Sequence, residues 1–199
     1  MNLNQNFNHN DYATYFPLTQ NCLGKRAFAR IIRSYLNPDA NVDPAPWSFP
    51  AFLSLSNVAP EIVETSEFEL KMAECSDGLP GDPLQLIQLA DFPDPELLSL
   101  TVAKHPAARI VRLSDNESRY IRGAFPNLEN SAFALITRRI SGALVLSASE
   151  PEIILLNYLD GRPTTIGELL AKLDDDHGGG FALNAFCEAV DHGAIIASE

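Results

Sequence analysis

From Lys25 onward the apolar residues Phe28, Ile31, Ile32 and Tyr35 stand at i, i+3, i+4 and i+7, which lines one face of a helix, and Pro38 sets its limit. Further helix starts are signalled by Pro60 before Glu61 and by Asp82-Pro83 and Asp94-Pro95, since Asp can cap and proline suits the first turn. Ahead of this pattern, residues 1–17 mix asparagine with Phe7, Tyr12, Tyr15 and Phe16 and show no sustained period, so a flexible tail is expected there. Residues 18–104 then read as an all-helical domain. Within it Pro44, Pro46 and Pro50 surround Trp47, with Phe49 and Phe52 close by, which reads as an extended linker carrying bulky anchors. Such anchors either pin a loop to its own core or dock a partner.

After His105-Pro106 the period changes to that of strands, at Ala108 to Leu113, Ala132 to Arg139 and Ala143 to Ser147. The last two form a hairpin through Ile140-Ser141-Gly142, where glycine can take the positive φ of a short loop. Ser147 or Ser149 can cap a helix through Ile153, Ile154, Leu155, Leu156 and Leu159 that stops at Gly161. Thr165 and Glu168 make a capping box for a second helix bearing Ile166, Leu169, Leu170 and Leu173. A third carries Leu183, Phe186, Cys187 and Val190 at i, i+3, i+4 and i+7, and a short strand comes after it at Ala194 to Ala197. The expected fold class is therefore α+β: an N-terminal helical domain, then a winged-helix-like domain of three strands and three helices over residues 105–199.

Charge sharpens this picture. The chain of 199 residues carries a net charge of −12, which repels phosphate backbones and disfavours nucleic acid as a partner. Residues 37–100 sum to −11, residues 104–139 to +4 and residues 150–199 to −8. Arg109, Arg112, Arg119, Arg122, Arg138 and Arg139 supply the basic stretch; the third helix, which would read DNA in a winged-helix regulator, carries Glu188 and Asp191 instead. That regulator is the alternative function. Cys22, Cys75 and Cys187 are odd in number and far apart, as in a reduced protein without a disulfide framework or closed zinc site. No apolar run approaches the about twenty residues that span a bilayer, and no secretory signal opens the chain, so no membrane association and a cytoplasmic location are expected.

Chemistry-bearing patterns are sparse. Asp174-Asp175-Asp176-His177 before Gly178, Gly179 and Gly180 continues into Phe181-Ala182-Leu183, which fits neither a calcium nor a phosphate loop and reads as a solvated connection. His9, His105, His177 and His192 are read as having no ligand partner at helical spacing. No nucleophile or dinucleotide signature is present. The expectation is a chain that is not an enzyme, with no catalytic or metal-binding residue and no cofactor of its own.

The hairpin Phe133-Ala134-Leu135-Ile136-Thr137-Arg138-Arg139 to Ala143-Leu144-Val145-Leu146-Ser147, followed by Glu150-Pro151-Glu152-Ile153-Ile154-Leu155-Leu156, resembles accessory subunits of multinuclear-iron TIM-barrel peptide oxidases. The Lys25-Arg26-Ala27-Phe28-Ala29 helix and His105-Pro106 before a strand fit the same picture, and size and acidity are most similar to the accessory subunits of methanobactin biosynthesis. The resemblance implies a heterodimer in which the partner subunit holds iron and oxidises cysteines of a precursor peptide, while this chain grips the peptide's basic leader. By that resemblance the leader adds as a strand along Ala143, Leu144, Val145, Leu146 and Ser147. Phe181, Asn184, Ala185 and Glu188 form the facing wall, with Glu188 and Asp191 attracting lysines. Trp47, Phe49, Phe52, Arg119 and Arg122 are the expected contacts to the oxidase. A competing expectation is that the final strand, Ala194 to Ala197, itself covers the edge near Val145.

Overall fold

A computed structural model describes residues 9–37, 44–76, 81–116, 118–139 and 142–198. Pro38, Ile140 and Ser141 lie outside them. In chain order the helices are α1 His9–Tyr15, α2 Pro17–Leu23, α3 Lys25–Tyr35, α4 Phe49–Leu55, α5 Pro60–Ser76, α6 Leu86–Leu89, α7 Asp94–Ser99, α8 Arg119–Ala124, α9 Glu150–Tyr158, α10 Ile166–His177 and α11 Phe181–Asp191. The strands are β1 Thr101–Lys104, β2 Arg109–Arg112, β3 Phe133–Arg139, β4 Gly142–Ser147, β5 Thr164–Thr165 and β6 Ile195–Ala197. They form two antiparallel sheets, ordered β5-β1-β6 and β2-β3-β4, so the fold is α+β.

The chain divides into two compact units, Met1–Glu74 with Leu113–Ala132, and Cys75–Arg112 with Phe133–Glu199. This replaces the sequence boundary at residue 104. Residues 75–104 pack with the C-terminal part of the chain because the partners of β1 are β5 and β6, both far downstream.

In the first unit an aromatic core forms from Tyr12, Phe16, Phe28, Ile32, Tyr35, Phe49 and Leu53. The Phe49 ring lies 4.9 Å from Phe16, 5.4 Å from Tyr35, 5.6 Å from Tyr12 and 6.0 Å from Phe28. The expected tail over residues 1–17 is thus corrected for its described part. From His9 it is helical, Tyr12 and Phe16 are buried, and the Tyr12 hydroxyl donates to the Pro44 carbonyl at 2.7 Å. Tyr12, Tyr15 and Phe16 do stand at i, i+3 and i+4, the spacing of one helical face, but the run stops at Pro17, where α2 begins, and is too short to show a sustained period. The expected linker is also corrected: a 3-10 turn at Pro46–Ser48 runs directly into α4, with prolines in the first turn of each.

A buried carboxylate organises the start of α2. Glu69, on α5, accepts from the backbone N–H of Leu18 at 2.5 Å, and from both the N–H and the hydroxyl of Thr19 at 2.9 and 2.6 Å. These satisfy two of the N–H groups that a helix start leaves unpaired. Glu64, five residues earlier on α5, similarly receives the hydroxyls of Ser114 and Ser118.

In the second unit, α9, α10 and α11 enclose Ile153, Leu155, Leu156, Leu159, Ile166, Leu169, Leu173, Phe186 and Val190. The local signals at α9 and α10 hold. The Ser149 hydroxyl accepts from the Glu152 N–H at 3.2 Å, and the Thr165 hydroxyl from the Glu168 N–H at 3.3 Å. The Glu168 carboxylate accepts instead from the Thr164 hydroxyl at 3.0 Å, so the box is closed one residue early. Asp82-Pro83 does not open a helix; α6 begins at Leu86, capped by Gln85 with a reciprocal bond to Gln88. Thr101–Lys104, expected helical, is β1.

His105 and Cys75 are structural in this unit. The Ala107 N–H donates to His105 Nδ1 at 2.9 Å, which makes Nδ1 an acceptor and leaves Nε2 to donate to the Gly81 carbonyl at 3.0 Å. The buried Cys75 thiol donates to the Ala107 carbonyl. None of the three cysteines is in a disulfide.

Candidate functional site

Helices α9 and α11 pack against each other, and at one end of that contact they bring polar groups together. Glu152, in the first turn of α9, is fully buried. Its Oε1 lies 2.8 Å from Nδ1 of His192, the residue just after α11. One turn back on α11, Glu188 Oε2 accepts from the Ser149 hydroxyl at 2.6 Å, while that same hydroxyl oxygen caps α9. Thr137 on β3 donates to the His192 carbonyl at 3.0 Å, which fixes the residue's position.

The hydrogen bond to Glu152 holds the His192 imidazole above its ordinary pKa; burial opposes this, and the charges of Glu152, Glu188 and Asp191 reinforce it. Glu152 Oε2 is buried with no hydrogen-bond partner among the described residues. Glu152, Glu188 and His192 each present a ligand-type atom, all within 4.8 Å of one another.

This cluster corrects the sequence reading of the histidines. Glu188 and His192 do stand four residues apart on one helical face, and that spacing was the signal available. Assigning Glu188 to a peptide groove hides it. No spacing rule joins Glu152 to His192, which lie forty residues apart.

The expected groove is only partly assembled. Strand β4 ends its sheet in the order β2-β3-β4, and the final strand β6 does not cover it, pairing instead with β1. Along β4, Ala143, Leu144 and Leu146 are half-buried, Val145 is buried and Ser147 exposed; Val145 and Ser147 are engaged in interactions of their own. On α11 the buried face is Ala182, Ala185, Phe186, Ala189 and Val190. Ala185 therefore belongs to the core, and Leu183, expected inside, is 53% exposed. Asn184 and Asp191 are exposed, and Phe181 stacks on His177 with ring centroids 4.5 Å apart. Alanines set this rotation: small side chains let α11 approach its neighbours closely, so its larger Leu183 is turned outward.

The expected oxidase contacts separate in the same way. Phe49 is fully buried and cannot meet a partner in this conformation, and half-buried Phe52 lies with its ring 4.9 Å from Tyr35. Arg122 donates to the carbonyls of Leu128, Glu129 and Ser131 at 2.7 to 2.9 Å, clamping its own loop. Trp47 is 42% exposed, and Arg119 pairs with Glu61 at 2.6 Å on the surface.

A surface that patterning did not single out lies at residues 85–99. Apart from buried Leu89 and half-buried Leu97, every residue of this segment is exposed, including Leu86, Ile87, Phe92 and Leu98. Asp82, Asp91, Asp94 and Glu96 accompany them, and the sequence holds no Lys or Arg between Lys71 and Lys104. Among the described residues no helix is long and apolar enough to cross a membrane. No family model matches the chain, and no curated protein is similar to it in sequence.

Proposed function

We propose that this chain is a non-catalytic recognition subunit that binds a basic peptide bearing apolar side chains and presents it to a partner enzyme. The observation that carries the reading is the acidic segment 85–99 with its four exposed large apolar residues. Isolated exposed apolar residues are ordinary, but four along one short segment cost solvation unless a partner covers them. Carboxylates around them select lysine or arginine in that partner and raise the encounter rate.

The finer reading remains the one the resemblance suggests: a winged-helix-like module over the C-terminal strands and helices, serving a heterodimer whose iron-holding TIM-barrel subunit oxidises a cysteine-containing precursor. Strand addition at β4 carries less of it, because Val145 is buried and Ala143, Leu144 and Leu146 are half-buried, which leaves little side-chain surface for a leader to grip. We place the leader's apolar contacts on Leu86, Ile87, Phe92 and Leu98 instead.

The test is fluorescence anisotropy of a labelled Lys-rich amphipathic peptide against the full chain. Micromolar binding that weakens with salt is expected. Ile87→Lys, at a site 72% exposed, should lower affinity at least about tenfold with the fold unchanged, because it buries a charge of the peptide's own sign at the contact. Leu55→Lys, at a site 85% exposed in the first unit, should leave it unchanged. Equal affinity for both variants, or no binding at micromolar concentration, overturns the proposal. Copurification with an iron-bearing barrel subunit tests its finer part.

A further inference from the structure

We propose that Glu152, Glu188 and His192 form a binding site for one divalent transition cation of the zinc type. The proposal stands independently of the peptide reading. Its first support is the donor set: two carboxylates and one imidazole, from α9, from α11 and from the residue after it, with ligand atoms within 4.8 Å of one another. These are donor types that zinc takes, and three protein ligands leave a fourth position open. Calcium and magnesium favour six or more oxygens, which an imidazole in a three-donor cluster does not approach.

The second support is independent of the clustering. Glu152 is fully buried, and its Oε2 has no hydrogen-bond partner among the described residues. A buried carboxylate oxygen without a partner is costly, and nearly all such atoms in folded proteins are satisfied. A cation beside Oε2 supplies the missing partner and neutralises the buried charge. The proton held between Glu152 Oε1 and His192 Nδ1 leaves as the cation enters, because a ligating imidazole must be neutral.

The surroundings are those of a supported site. The Ser149 hydroxyl holds Glu188 Oε2, and the Thr137 hydroxyl holds the His192 carbonyl, so two of the three ligands are oriented from outside the cluster. Glu188 and His192 are half-buried, which leaves an approach from solvent, while Glu152 forms the closed floor.

The experiment is calorimetric titration of zinc chloride into the chelator-treated full chain near neutral pH, with cobalt(II) absorption as a second reading of ligand geometry. One ion per chain at micromolar affinity or tighter is expected, together with a raised melting temperature. Glu152→Gln and Glu188→Gln should each weaken zinc by more than the about 10–100-fold that loss of an outer-sphere partner costs. Glu188, being half-buried, provides a variant whose circular dichroism should match the parent. His177→Ala, at the exposed last residue of α10, which runs through Asp174 to Asp176 where a connection was expected, should leave affinity unchanged. Zinc binding that is unaltered in both glutamine variants, or lost in His177→Ala, assigns the ion to the surface and overturns the proposal. So does absence of binding up to millimolar zinc.

Discussion

Phe49→Ala is expected to destabilise the chain by about 3–5 kcal/mol, the range for deleting a buried aromatic ring. Phe49 is fully buried and is the hub of the first unit's aromatic core, with four rings around it between 4.9 and 6.0 Å. Truncation removes its transfer free energy and the edge-on contacts that Tyr12, Tyr35 and Phe28 make with it. Against the about 5–15 kcal/mol that hold an ordinary domain together, such a loss is a large fraction of the total. Urea unfolding followed by the fluorescence of Trp47, the only tryptophan, reads it directly. A docking role for Phe49 makes the opposite forecast, with partner affinity falling and the unfolding midpoint unmoved.

Glu69→Ala should cost roughly 2–4 kcal/mol, because it strands two buried N–H groups and the Thr19 hydroxyl at the start of α2. The cost should depend on pH in an unusual direction. Burial pushes the Glu69 carboxyl from 4.5 up to about 7, outweighing the bonds from Thr19 and Leu18 that favour its ionised form. With the folded value above the unfolded one, the folded chain binds the extra proton between those limits. The contribution is therefore fully present below pH 4.5 and is lost as pH rises through about 7. The stability gap between the parent and Glu69→Ala should narrow from pH 5 toward pH 8, by a few kcal/mol at most. A gap that widens with pH means that the α2 start and its donors govern the carboxylate rather than desolvation.

Exposed charges follow the ordinary rule and carry little. The Lys104–Asp160 pair at 2.7 Å holds the Asp160 carboxyl below its usual range through its hydrogen bond, yet Asp160 is largely solvated. Asp160→Asn is expected to shift stability by less than about 1 kcal/mol, with the shift fading at high salt. A calorimetric scan at low and high salt checks both halves.

Those contrasts show which parts of the molecule were legible in advance. The start of α3, the proline-led entry to α5, the β3–β4 hairpin and the caps of α9 and α10 were all readable, because each depends on interactions within a few residues. A hydroxyl that caps the helix it precedes, or a face repeating at i, i+3 and i+4, is a local statement and survives any tertiary arrangement. Helix α11 marks the limit. Its sequence supports two apolar faces one residue apart, Leu183-Phe186-Cys187-Val190 and Ala182-Ala185-Phe186-Ala189-Val190. Only packing against α9 and α10 chose the alanine face.

Sequence by itself determined the α+β composition, the acidic balance and the starts of α3, α5, α9 and α10, since all three depend on residue type and short-range geometry. Tertiary structure decided the rest. It drew Tyr12 and Phe16 into a core, returned β6 to β1 rather than β4, and set Glu152 beside a histidine forty residues away. The physical reason is the same in each case: burial and pairing are settled between distant segments by shape and by the need to satisfy polar groups, and neither leaves a period along the chain.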